Sequence, residues 1–124
     1  MSVTHPTAVR NGIADHVVDQ LDVGGAGKIV MQTAGSVTVA TLPFGATAFG
    51  AAAAGVATAN AITSDTNAVG GTITKAELQT NASVAKVLCS VTATGGGGDI
   101  QLSSVIVSAG QTVQMSSLTY AAPA

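Results

Sequence analysis

The sequence predicts a mainly β protein, a β-sandwich or jelly roll of about eight strands, with one short N-terminal helix in front of it. Three observations carry that expectation. From Lys28 onward the chain consists of short runs rich in Val, Ile and Thr, closed by turn residues every 8–12 positions or so. The connections between these runs are too short for βαβ crossovers. Helical spacing of apolar residues occurs only once, near the start.

The helix is expected in "THPTAVRNGIADHVVDQLDVGG". Val9, Ile13, Val17 and Leu21 recur four apart, and Ala14 and Val18 widen the stripe. Thr7 suits the N-cap, and Gly24 with Gly25 would end the helix. Gly12 costs about 1 kcal/mol in a helix interior, so the helix needs a surface to lie on. Asp15, Asp19 and Asp22 fall away from the stripe and are expected to face water or a neighbouring chain. Residues 1–27 therefore form an arm and helix, and residues 28–124 the β domain.

"KIVMQTA" and "SVTVATL" read as a hairpin turning at Gly35 and Ser36, and Pro43 with Gly45 closes the second run around Phe44. "ATAF" gives a brief strand. Residues 50–55, "GAAAAG", read as a tight connection where backbones approach closely. "GVATANAIT" alternates, with Ala57, Ala59 and Ala61 forming one face. "SDTNAVGG" is turn chemistry throughout, with Gly70 and Gly71 free to take positive φ. "TITKAELQT" alternates again, whereas "SVAKVLCSVTA" is apolar almost continuously, as expected of a strand covered on both faces. "GGGGD" is a loop, and "IQLSSVIVS" and "QTVQMSSLTY" are the closing strands.

Composition narrows the function. The 124 residues suffice for one domain. The core has small parts: there is no Trp, Tyr120 is the one Tyr, and Phe44 and Phe49 are the two Phe. Apolar burial stabilises by about 25 cal/mol per Å², and Ala offers little area. Charged residues make up 8% of the chain, against about 25% in soluble domains generally. Such a body gains from being held against other chains. The net charge is −2, and Arg10, Lys28, Lys75 and Lys86 are scattered, so no basic stripe is expected to bind nucleic acid. No apolar run reaches the ~18 residues of a membrane span. The opening "MSVTHPTAVRNG" lacks the features of a secretory signal, which implies synthesis in a cytoplasm.

Candidate chemical sites are few. "GGAGK" (24–28) invites comparison with a phosphate loop. It lacks the leading Gly and the Ser or Thr after Lys28, and it joins a helix to a strand instead of the reverse. Asp15, His16 and Asp19 do not converge enough for a metal, and His5 lies upstream in the arm. Asp65 with Ser64, Thr66 and Asn67 does not match a calcium loop, Glu77 being out of register to close one. Cys89, the lone cysteine, sits among Val87, Leu88 and Val91 and reads as a small core residue. Neither His has a context pairing it with a Ser, and nothing sets Glu77 against Asp99. The expectation is a protein that is not an enzyme and has no catalytic, cofactor or metal site.

"AFGAAAAGVATANAITSDTNAVGGTITKAELQT", followed by "GGGGDIQLSSVIVSAGQTVQMSSLTY", resembles a family of small structural proteins of tailed bacteriophages and prophages. "AVRNGIADHVVDQLDVGGAGKIVMQT" is similar to that family's opening helix and first strand. The resemblance covers nearly the whole chain, and its motifs are turn and strand residues. It implies a virion structural protein, a capsid decoration (cement) protein on the exterior of the major capsid protein shell. The alternative is a tail, neck or head-fibre-base component. The implied partners are the major capsid protein and further copies of the chain, as dimer or trimer. Residues 1–24 either dock to such a partner or plug one open end of the sandwich.

Overall fold

A computed structural model describes residues 4–45, 47–115 and 118–121. The fold is mainly β and sandwich-like. Helix α1 (Thr7–Asp19) and a 3-10 turn (Gln20–Asp22) precede β1 (Lys28–Gln32), β2 (Thr38–Pro43), β3 (Val56–Thr58), β4 (Gly71–Thr72), β5 (Lys75–Gln79), β6 (Ala85–Ala93), β7 (Ile100–Leu102), β8 (Ile106–Val107) and β9 (Thr119–Ala121). Five strands form one sheet in the order β2-β1-β5-β6-β7, and β3-β9 and β4-β8 are two-stranded ribbons.

The core lies on one face of the large sheet. Ile29 and Met31 of β1 stand opposite Leu42 and Ala40 of β2 on one side, and opposite Leu78 and Ala76 of β5 on the other. All six are buried. Helix α1 packs against β3 and β9, and Ala14, Val18 and Leu21 enter the same apolar cluster. The helix is thus part of the core. Phe44 and Phe49 pack against each other there, with ring centroids 5.6 Å apart.

Several expectations need correction. The buried line of α1 runs through Ala14, Val18 and Leu21, while Val9 is 46% exposed and Ile13 only half-buried. The helix has rotated away from its bulkiest stripe because its other flank is tied to a loop, as described below. Pro6, not Thr7, is the N-cap, and its carbonyl accepts from both Val9 and Arg10 amides. "ATAF" is no strand among the described residues: Phe49 makes a single bridge to Ala59, and Ala46 lies outside them. In "GVATANAIT" only Val56–Thr58 is strand, with Ala57 buried and Ala61 exposed. The run from Ile100 breaks into β7 and β8, and the last run keeps only β9, Ser116 and Ser117 lying outside the described residues.

β6 departs furthest from expectation. It is not covered on both faces: Leu88 is 73% exposed and Val84, just before it, 50%. β7 runs parallel to it with only residues 94–99 between, and pairs only with Val91, Thr92 and Ala93. Parallel neighbours ordinarily need a dozen or more connecting residues. Here the glycines fold around the Thr92 side chain, whose Oγ1 accepts the Gly98 amide at 3.0 Å. A Cβ at Gly96 would lie 2.7 Å from Thr92 Cβ, so the turn closes only without side chains.

The large sheet contains an internal repeat. "KIVMQTAGSV" from Lys28 returns as "KAELQTNASV" from Lys75, with Lys, Gln, Thr, Ser and Val at the same places. The two turns share one geometry. Thr33 and Thr80 amides donate to Val37 and Val84 carbonyls, and Ser36 and Ser83 amides donate back to Thr33 and Thr80. Ser36 and Ser83 carry the positive φ, 67° and 66°. β1 and β5 lie antiparallel with Lys28 opposite Gln79 and Gln32 opposite Lys75. The β1-β2 and β5-β6 hairpins are therefore related by an approximate two-fold axis through the sheet.

Candidate functional site

Most residues weighed for chemistry are taken up in local structure. In "GGAGK", Gly24 and Gly25 take positive φ at the end of the 3-10 turn. Gly27 is pinched, since a Cβ there would lie 2.6 Å from both the Leu21 and Gln79 carbonyl oxygens. Lys28 Nζ donates to Ser83 Oγ at 2.7 Å. The glycines thus serve close packing between the helical segment and β5. Asp65 accepts the Asn67 amide through Oδ1, an Asx turn, and the Thr41 amide through Oδ2, both at 2.9 Å.

Asp15 and Asp22 are half-buried, and each turns one carboxylate oxygen to a loop of the same chain. Asp15 Oδ1 accepts the Ala52 amide at 2.7 Å and Asp22 Oδ1 the Ala48 amide at 2.9 Å. Asn11 Oδ1 joins them by accepting the Gly55 amide at 2.7 Å. At about 100° per residue, positions 11, 15 and 22 share one line along the helical segment. The loop "AFGAAAAG" lies along that line with its amides turned to these acceptors. Alanines allow the close approach, and Gly55 sits under the Arg10 guanidinium, where a Cβ would meet Cζ at 2.8 Å. Sequence reasoning placed the tight connection but missed what holds it; the signal was three acceptors on one helical line.

His16 and Asp19 are exposed, and no group of three or more His, Cys, Asp or Glu among the described residues could hold a metal ion. Glu77 accepts from Gln79 Nε2, and Asp99 accepts from the Ser90 amide and hydroxyl. Cys89 is half-buried on β6, not fully in the core. Burial, with the nearby Asp99 charge second, pushes its thiol from 9.0 up to about 11, away from nucleophilic thiolate chemistry at neutral pH.

What remains conspicuous is surface. Val37 (61% exposed), Val69 (65%) and Ile106 (71%) stand at one end of the sheet. Val69's amide donates to Val39, two residues from Val37, and Ile106 pairs with Thr72 next to the same segment. Leu88 and Val84 form a second exposed group on β6 and its preceding turn. Lys28 and Lys75 donate to Ser83 and Ser36, beside Val84 and Val37, and exposed Lys86 lies between Val84 and Leu88. No helix among the described residues is long and apolar enough to cross a membrane. Comparison with protein-family models, with curated proteins and with solved structures finds no match.

Proposed function

We propose that this chain is a structural protein of a tailed-bacteriophage virion: a decoration, or cement, protein binding the outside of the major capsid protein shell. The observation that carries the reading is the exposure of Leu88, Ile106, Val69 and Val37 on a chain with 8% charged residues. Large exposed apolar groups on a charge-poor surface favour permanent neighbours over free diffusion. The resemblance of the strand and turn phrases to phage structural proteins supplies the setting.

The mechanism is linkage. A protein that binds the assembled shell but not its dissociated subunits stabilises the shell by RT ln(1 + [L]/Kd) per site. Weak contacts repeated over a lattice suffice through avidity. The partners are the major capsid protein and further copies of the chain, as dimer or trimer. The role requires no catalysis, cofactor, nucleic acid or membrane, and the protein is made in the bacterial cytoplasm. The acceptor line of Asn11, Asp15 and Asp22 supports the plugging role for the helix, since that flank is already occupied.

Electron microscopy of particles with and without this protein tests the reading. Density on the outside of the shell, and shells that rupture at lower temperature without it, are expected. Density confined to the tail or neck replaces the cement role with the alternative one, and absence from particles overturns both.

A further inference from the structure

The two related hairpins end in edge strands, and the two edges differ. Each hairpin's pairing skips one residue, Val39 in β2 and Lys86 in β6. Val39 and Ala40 beside it are buried. The outer side of β2 is bonded by the same chain: the Thr63 amide donates to the Pro43 carbonyl and the Val69 amide to the Val39 carbonyl.

The corresponding stretch of β6 is open. Val84, Ala85, Lys86, Leu88 and Ser90 are exposed, and Val87 and Cys89 are half-buried. The Val91 amide donates to Thr74 on the β5 side, whereas the Ser90 amide turns outward to the Asp99 carboxylate at 3.0 Å. Alternation therefore points the Leu88 amide and carbonyl outward as well. β7 pairs only with Val91, Thr92 and Ala93, so among the described strands none lies along residues 85–89 on that side.

The charges on this edge stand in a line. Exposed Lys86 lies near its start and exposed Leu88 follows, while exposed Asp99, seated on Ser90, closes its far end. Lys86 and Ser90 are four residues apart, about 13 Å along an extended strand, too far for the charges to pair within one copy. Such an edge, a cation at one end and an acid at the other, complements itself when a second copy runs antiparallel to it.

We propose that residues 85–89 pair antiparallel with the same residues of a second copy, across a two-fold axis at Val87. That residue is the midpoint of the open edge, because Asp99 already holds Ser90. Leu88 of each copy then faces Lys86 of the other. The Lys86 ammonium reaches diagonally towards the second copy's Asp99, since diagonal neighbours lie about 7–8 Å apart, within range of a long side chain. The two-fold axis makes that contact twice. A lysine on a strand edge ordinarily deters pairing. Here it admits a strand that brings an acid to the matching place, and the chain's own edge does so. The two five-stranded sheets join into one. The pairing gives a surface to the self-association that the virion reading expects. It is tested on the purified chain with no shell present, so either can fail alone.

The experiment is sedimentation velocity of the full chain over a range of concentrations, with amide hydrogen exchange on the same samples. A monomer–dimer equilibrium is expected, with exchange at Leu88 slowing as dimer accumulates. Lys86→Glu and Asp99→Lys should each weaken the dimer by about tenfold or more, since each sets like charges together twice. Mixed in equal amounts the two variants should dimerise again, because both contacts between them are then of opposite sign. Leu88→Lys, at an exposed position that leaves the fold intact, should also disfavour the dimer by facing Lys86 of the other copy. Circular dichroism confirms that each variant is folded, and if Asp99→Lys is not, Lys86→Glu and Leu88→Lys decide alone. A chain that stays monomeric, a dimer or trimer protected elsewhere, or a dimer indifferent to Lys86→Glu and Leu88→Lys overturns the proposal. A trimer through other surfaces would leave the virion reading standing.

Discussion

Lys28 Nζ donates to Ser83 Oγ at 2.7 Å, and Lys75 Nζ donates to Ser36 Oγ in the same manner. Each lysine opens one hairpin and holds the turn of the other. The reciprocity follows from β1 and β5 lying antiparallel with Lys28 and Lys75 at opposite ends of the pair. The serines so held are the ones whose backbone is left-handed, a conformation that costs roughly 1–2 kcal/mol for an L-residue.

The symmetry predicts equal responses in the two turns. Ser36→Val and Ser83→Val should each destabilise by about 1–2 kcal/mol or more, because a β-branched side chain tolerates positive φ poorly. Urea midpoints measure this. A gap between the two variants larger than their mean cost contradicts the equivalence of the turns.

The clamp between helix and loop should show the asymmetry of buried acceptors. Asp15→Ala leaves the half-buried Ala52 amide without its partner and should cost about 1–3 kcal/mol. Asp15→Asn keeps an oxygen in place and should cost less. Guanidinium unfolding of both variants decides it, and equal losses would show that the hydrogen bond is not what holds the loop.

Two glycines give opposite outcomes on substitution by Ala. Gly27→Ala puts a Cβ 2.6 Å from two carbonyl oxygens and should prevent folding or lower the melting temperature severely. Gly12→Ala meets nothing within 4 Å on the exposed side of α1 and should stabilise by about 1 kcal/mol from helix propensity. Circular dichroism melts of the two variants provide the comparison.

Cys89 should be slow to alkylate at pH 8, its rate climbing until about pH 11. The linked effect on stability has a definite sign. The folded chain retains the thiol proton to higher pH than the unfolded chain does, so this contribution is full below the ordinary value of 9.0 and is lost as pH rises through about 11. Iodoacetamide rates across that range, with urea midpoints at pH 8 and 10.5, test both statements. A thiol that alkylates fully at pH 7 would contradict them.

The order of strands and turns was legible in the sequence because turn chemistry is local. Gly24 and Gly25 after the helix, Pro43 at the end of β2, and Gly70 and Gly71 before β5 each act through their own φ or missing amide. The repeated Lys, Gln, Thr, Ser and Val phrase was equally open to inspection, but its meaning depends on the antiparallel pairing of β1 with β5. Hydrophobic content misled at β6, where "SVAKVLCSVTA" reads as a covered strand yet leaves Leu88 exposed.

By itself, then, the sequence determined a β fold, its one helix and the small parts of its core, since these follow from periodicity, composition and conformational preference. Tertiary structure alone decided that Asn11, Asp15 and Asp22 bind a loop more than twenty residues away. It also decided that Asp65 accepts the Thr41 amide at the edge of one hairpin while Asp99 accepts the Ser90 amide at the edge of the other. The physical reason is that a hydrogen bond between distant residues depends on which backbones packing brings together, and no local pattern encodes that.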